Sequence, residues 1–331
     1  SANLVSGYNF INGTSSAQDD LGHGTHVSGT IGAVGNNNIG VVGINWSVRI
    51  MPIKVCEPTS TSPYNRCPTN TTTQGVVYAA DNGAKVINMS LGGQGSCQPG
   101  SAYESAISYA TSKGVVVVVA AGNDSANAQG YSPAGCPGTL TVGASTQSDA
   151  RANFSNYGSV VGIASPGTAI TSTYPTGNVS MPCKNPPGGL NYCTSQGTSM
   201  ASPLVAGAAA LLLSANPSLT PAQVKNCLIQ NGDPITTDRP IGGVRLNIFK
   251  ALQACSSGIP LPTTPPTASP LPTRSPTPTL RPGEPTHTPT PAPTTRPTAI
   301  PLPTRGFEPN GTPVPTPDQY FSCKPDPNCV K

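Results

Sequence analysis

Hydrolysis at a peptide carbonyl needs a nucleophile, a base and a place for developing negative charge. Three separated residues of this chain could supply them. Ser199 stands in Gly197-Thr198-Ser199-Met200-Ala201-Ser202-Pro203, at the head of a run that reads as a helix. Gly197 permits close backbone approach, and a helix start brings free N–H groups and the positive end of the dipole. Pro203 is expected in the first turn, where a missing N–H costs nothing. The base follows by elimination. Of 3 histidines, His287 lies in a Pro/Thr-rich stretch, which leaves His23 and His26 in Gly22-His23-Gly24-Thr25-His26. Asn123 follows a Val/Ala run directly, where its amide could donate to an oxyanion together with the Ser199 N–H.

Other chemistries fit less well. The two histidines stand at i and i+3 with glycine between them, and no glutamate occupies the position a zinc-protease helix requires. Ser199 lacks the flanking glycines of a Gly-x-Ser-x-Gly nucleophile elbow.

The elements that must position these residues alternate. Arg49 to Val55 reads as a strand, Thr73 to Asn82 as a helix stopped by Gly83, and Lys85 to Met89 as a short strand. Ala102 to Lys113 reads as a helix. Val115 to Ala121 is a β-branched run of the kind buried on both faces of a parallel sheet. Leu140 to Ala144 is another strand. Ser199 to Ala215 is apolar nearly all round, as a central helix is. A further helix opens at Thr220-Pro221, with Thr220 as its cap. This order predicts an α/β fold with active groups at the carboxyl ends of parallel strands.

Gly22-His23-Gly24-Thr25-His26-Val27-Ser28-Gly29-Thr30, Ala120-Ala121-Gly122-Asn123 and the Ser199 motif, in that order, resemble the subtilisin-like serine proteases (subtilases). The resemblance covers residues 1 to about 255. It implies a three-layer fold with a mostly parallel sheet between helices. It implies His23 as general base, His26 as its structural partner, Ser199 as nucleophile, and Asn123 as oxyanion donor. It implies that Ser90-Leu91-Gly92-Gly93 pairs with substrate backbone, that Gly122 belongs to the same groove, and that Tyr131 shortens the primary specificity pocket in favour of small side chains. Asn36-Asn37-Asn38-Ile39-Gly40-Val41 resembles a calcium loop, with the Asn37 side chain and the Gly35, Ile39 and Val41 carbonyls as ligands. A propeptide, a monomeric state, and protein or peptide substrates also follow from the resemblance.

The family's catalytic aspartate, which ends a central strand, would fall upstream of Ser1. So would a carboxylate that completes the calcium site. Asp19 and Asp20 stand too close to His23 to replace the triad member and are expected beside the substrate groove. Leu204 stands where the family commonly has a non-catalytic histidine. Lacking its first central strand, the chain as given is expected to have a gap in its sheet, low stability and little or no activity.

Composition sets further bounds. Net charge is +4 and 9% of residues are charged, with no Lys/Arg cluster, which excludes a nucleic-acid reading. The Leu204 to Leu213 stretch is too short to span a membrane. The 10 cysteines fall as local couples, Cys56/Cys67, Cys97/Cys136, Cys183/Cys193, Cys227/Cys255 and Cys323/Cys329, and point to disulfides in an oxidising compartment. Connectivity stays open; the Cys97/Cys136 couple rests on resemblance to secreted bacterial subtilases. Residues 1–256 are expected to be the peptidase domain, 257–317 a polyproline-II-like linker, and 318–331 a tail or the start of a further module. A secreted endopeptidase is the leading expectation. A peptide-binding homologue that has lost catalysis is the alternative, and a stalk protein fits only the linker.

Overall fold

The computed structural model describes residues 3–59, 66–177, 179–180, 183 and 191–256; the expected linker and tail, with Cys323 and Cys329, lie outside the described residues. In chain order the elements are β1 (Tyr8–Asn9), α1 (His23–Gly32), β2 (Ile53–Lys54), α2 (Thr69–Asp81), β3 (Val86–Met89), β4 (Gly93–Gln94), α3 (Ala102–Ser112), β5 (Val116–Ala120), a 3-10 turn (Ala128–Gly130), β6 (Tyr131–Ser132), β7 (Thr139–Ser145), β8 (Val161–Pro166), β9 (Ile170–Thr173), β10 (Tyr192–Ser195), α4 (Thr198–Ala215), α5 (Pro221–Gln230), β11 (Asp233–Pro234), β12 (Val244–Arg245) and α6 (Ile248–Cys255).

A six-stranded sheet of order β11-β12-β8-β7-β5-β3 forms the middle layer, parallel except where β11 meets β12. All five residues of β5 are buried. Successive side chains of a strand point to opposite faces, and here each face has its own core. Val117 and Val119 pack with Val76, Ala79, Ile107 and Ala110 of α2 and α3. Val116 and Val118 pack with Ala201, Val205, Leu212, Val224 and Leu228 of α4 and α5. Each Val, Leu or Ile among them contributes about 1.5–3 kcal/mol on full burial. Every helix read from the sequence forms. α2 begins four residues earlier than expected, after Pro68, whose carbonyl accepts from Thr72 Oγ1 at 2.9 Å. α5 carries a full capping box between Thr220 and Gln223.

α4 is an 18-residue helix of mean hydropathy 1.5, longer than the apolar stretch alone suggests and sufficient by length and composition to cross a bilayer. It is 67% buried inside the protein and forms the core of one layer, which accounts for its apolar surface.

The expected strand from Arg49 to Val55 is regular only at Ile53–Lys54. It pairs in parallel with β1, and Leu4 and Ile50 add a parallel bridge. This pair stands apart from the six-stranded sheet. Tyr8 and Phe10 pack with Tyr78 of α2 at ring separations of 5.3 and 5.7 Å, which anchors the pair to the helix layer. β2 and the edge strand β3 belong to separate sheets and do not pair, and a space lies between them. A cavity of about 1720 Å³ occupies it, lined by Ile53, Lys54 and Val55 on one side and by Val86, Ile87, Asn88 and Met89 on the other. Among the described residues no strand pairs with the outer edge of β3.

Among the described residues, four disulfides close the couples Cys56–Cys67, Cys97–Cys136, Cys183–Cys193 and Cys227–Cys255.

Candidate active site

The cavity between β2 and β3 runs to His23, Asn123 and Ser199, which all line it, as do Ser90, Leu91, Gly92, Gly93, Gly122 and Tyr131. Each lies at a strand end or a helix start.

His23 is the first residue of α1. Asp19 holds this helix start: its Oδ1 accepts from the N–H groups of Leu21 and Gly22, and its Oδ2 accepts from Thr25 N–H at 2.7 Å and Thr25 Oγ1 at 2.6 Å. Burial works to raise the Asp19 pKa, but these bonds outweigh it and hold the carboxyl below its usual value. Asp20 instead pairs with Lys54 on β2. Burial, with a smaller contribution from His26, pushes the His23 imidazole down to about 4, against the opposing pull of Asp19. A shift in that direction favours the neutral imidazole. His26, 1% exposed, donates from Nε2 to the carbonyls of Cys193 at 3.0 Å and Ile170 at 3.2 Å. It fastens α1 to the β9–β10 hairpin, a structural role.

Ser199 is the second residue of α4, so its N–H is one of the first four in the helix, which have no intrahelical acceptor. Pro203 is the sixth residue, not part of the first turn as expected. A proline there removes the N–H that would bond the carbonyl four residues back, which is that of Ser199. Ser90 Oγ replaces it, donating to the Ser199 carbonyl at 2.9 Å. Ser199 Oγ donates to the Ser90 carbonyl at 3.4 Å. His23 Nε2 is buried and has no hydrogen-bond partner among the described residues, so histidine and serine share one cavity without being bonded.

Asn123 follows β5. Its Oδ1 accepts from Thr198 N–H and Thr198 Oγ1, both at 2.9 Å. Thr198 Oγ1 in turn accepts from Gly122 N–H at 3.1 Å. With the oxygen engaged, the Asn123 amide keeps its N–H donors for the space beside Ser199. Gly122 has φ +102, and a Cβ there would lie 2.3 Å from Asn156 Nδ2. Any side chain there would be strained and would have to displace Asn156.

Ser90, Leu91 and Gly92 run beyond β3 outside any strand, and Gly93 pairs antiparallel with Ser132 in the β4–β6 ladder. Gly92 takes φ +155, with space for a Cβ closed by the Ser132 carbonyl at 2.8 Å. Tyr131 is half-buried and sits against Gly122; burial, then the Asp124 carboxylate to which it hydrogen-bonds, pushes its phenol up to about 12. Gly35, Asn37, Ile39 and Val41 lie on a bend that follows α1. Asn37 Oδ1 accepts from Ile39 N–H at 3.0 Å, and Asn36, Asn38 and Gly40 take positive φ. Among the described residues no group of three His, Cys, Asp or Glu side chains gathers anywhere.

Sequence reasoning missed Thr198 as the clamp on Asn123, Ser90 as the partner of the Ser199 carbonyl, and Asn156. The signal for Ser90 was present: a proline four residues after Ser199 leaves a carbonyl that another group must satisfy.

Polar side chains gathered at the carboxyl ends of parallel strands and at two helix starts give this α/β protein the layout of an enzyme. The comparisons define it further. The sequence model described as the subtilase family matches residues 1–247, and the chain belongs to that family. An extracellular protease of Xanthomonas campestris pv. campestris is 36% identical over 78% of this chain, which spans 49% of that protein. Subtilisin BL of Lederbergia lenta is 41% identical over 68% of this chain and 76% of its own length. A solved protease from Pseudoalteromonas arctica superposes with a TM-score of 0.68 at 33% identity, covering 77% of this chain and 85% of that one. With the disulfides, these relatives place the protein outside the cell.

Proposed function

We propose that the protein is a serine endopeptidase. Ser199 Oγ turns from the Ser90 carbonyl toward His23 and attacks the peptide carbonyl. His23 takes the serine proton and returns it to the leaving amine, and water then releases the acyl group by the same route. Asn123 Nδ2–H and the Ser199 N–H receive the negative charge on the carbonyl oxygen. The observation that carries this reading is the Thr198 clamp. It fixes the Asn123 amide oxygen one residue before the serine and leaves its nitrogen to donate there.

The third triad member in this reading is an aspartate on a strand that precedes Ser1. The cavity between β2 and β3, which His23 also lines, supports it. Substrate lies along Ser90 to Gly93 as an added strand, and Tyr131 shortens the pocket so that small side chains are preferred. Aromatic preference in a peptide-library digest would reject that assignment.

Calcium fits the loop at Gly35, Asn37, Ile39 and Val41 by donor type, since all four offer oxygens. All four are neutral, and Asn37 Oδ1 already accepts one N–H, so these residues hold the ion only with a carboxylate from elsewhere. In the whole protein, chelation is expected to lower the melting temperature; no shift would discard the site. The reading also includes a propeptide as folding partner, a monomeric state and a linker at 257–317.

A second reading, a peptide-binding homologue without catalysis, draws on the missing bond between His23 and Ser199. The product of the whole coding region decides between them. It should hydrolyse unfolded protein substrates, and Ser199→Ala should abolish hydrolysis while leaving the fold intact. Binding without turnover would establish the second reading.

A further inference from the structure

We propose that Asn156 is the positioning residue for the oxyanion donor Asn123. The proposal rests on the function given above. Asn156 is fully buried, in the turn between β7 and β8, and does not line the substrate cavity. Its polar groups are spent on one short segment. Nδ2 donates to the Ala121 carbonyl at 2.9 Å, and Oδ1 accepts from the N–H groups of Asp124 at 3.0 Å and Ala126 at 2.9 Å. Its backbone N–H donates to the Gly122 carbonyl at 2.9 Å. These bonds bracket Asn123 on both sides. Thr198 fixes the Asn123 side chain; Asn156 fixes the backbone from which that side chain projects.

Residue type matters here. An amide offers a donor and a two-lone-pair acceptor on adjacent atoms. Aspartate would keep the two acceptor bonds and set a second oxygen against the Ala121 carbonyl. Gly122 completes the fit, since a Cβ at that position would collide with Asn156 Nδ2.

Asn156 is itself held. Ser155 Oγ accepts from Ala144 N–H on β7 at 3.0 Å and donates to the Asn156 carbonyl at 2.9 Å. Arg151 Nη1 donates to the carbonyls of Ala152, Asn153 and Ser155 and to Ser125 Oγ, while its other nitrogens grip Asp238 at 2.8 and 3.0 Å. The brace thus transmits the rigidity of the central sheet to the loop carrying Asn123.

The test is a double-mutant cycle in the product of the whole coding region, with Asn156→Asp alone and combined with Asn123→Ala. In the single variant kcat should fall about tenfold with KM nearly unchanged, within the coupling range of residues sharing one network. Once Asn123 is alanine, the same change should have no further effect on kcat. The single variant should also recover relative to the parent at acid pH, where a protonated Asp side chain can donate to Ala121 again. Equal losses in both backgrounds, or an unchanged kcat, would overturn the proposal. If Asn156→Asp does not fold, Arg151→Lys loosens the same turn and should show the same dependence on Asn123; additivity there would overturn it equally. If Asn123→Ala leaves kcat unchanged, the oxyanion assignment itself falls and takes this proposal with it. Slow turnover in Asn123→Ala with additive effects sinks this proposal alone.

Discussion

Replacing Asn123 separates a structural task observed at its Oδ1 from the oxyanion-donor task proposed for its Nδ2. Oδ1 accepts two bonds from Thr198 and ties the end of β5 to the start of α4. Nδ2 is the donor proposed for the oxyanion, and Asn123 and Ser199 line the same cavity. Asn123→Ala removes both. At about 1 kcal/mol per hydrogen bond, stability should fall by about 2 kcal/mol. For a domain of this size the melting temperature then drops by roughly 4–8 °C. Loss of the oxyanion donor should reduce kcat by about 10²–10³, the loss known for the corresponding asparagine of subtilisin, with KM little changed. Asn123→Asp divides the effects. It keeps the acceptor and hence most of the stability, but aims a carboxylate at the developing oxyanion, so kcat should fall below that of the alanine variant. Steady-state kinetics on a chromogenic peptide, with thermal melts of the same samples, give both orderings. An alanine variant within tenfold of the parent in kcat, or a loss carried by KM, would refute the reasoning.

Two further predictions follow from the same neighbourhood. Burial lowers the pKa of His23 to about 4 and lowers that of His26, so between 6.5 and 4 the unfolded chain binds more protons than the folded one. Stability should therefore be fully present above the unfolded value of 6.5 and decline as pH falls toward 4; urea midpoints that stay level across that window would contradict the lowered pKa values of the two histidines. Gly122→Ala forces φ +102 on an alanine and drives its Cβ into Asn156. It should cost about 1–3 kcal/mol from backbone strain and slow turnover as well; a neutral result in both melts and kinetics would show that the loop relaxes.

Much of the scaffold was legible because local chemistry and tertiary role agree there. The Val115 to Ala121 run has only one good home, a strand buried on both faces, and becomes β5. Thr220-Pro221 announces α5 through a cap and a first-turn proline. Ser101, not singled out in the sequence, caps α3 by accepting from Glu104 N–H. His23, Asn123 and Ser199, each from a different motif, line one cavity. Other features were hidden because they depend on partners far along the chain. The β9–β10 hairpin carries little apolar alternation and is fixed by His26 and by Cys183–Cys193. Pro203 looked like a first-turn residue until the helix start at Thr198 placed it deeper, where Ser90 compensates. Asn156 reads as an ordinary turn asparagine, since nothing adjacent to it reveals that its bonds go to residues 121–126.

The central claim is that Ser199 is an activated nucleophile. The most direct measurement is labelling of the whole protein with a fluorophosphonate, followed by peptide mapping. The account predicts a single adduct on Ser199, lost in His23→Ala and slowed in Asn123→Ala. An unlabelled Ser199 in folded protein, or labelling that ignores the loss of His23, would contradict it.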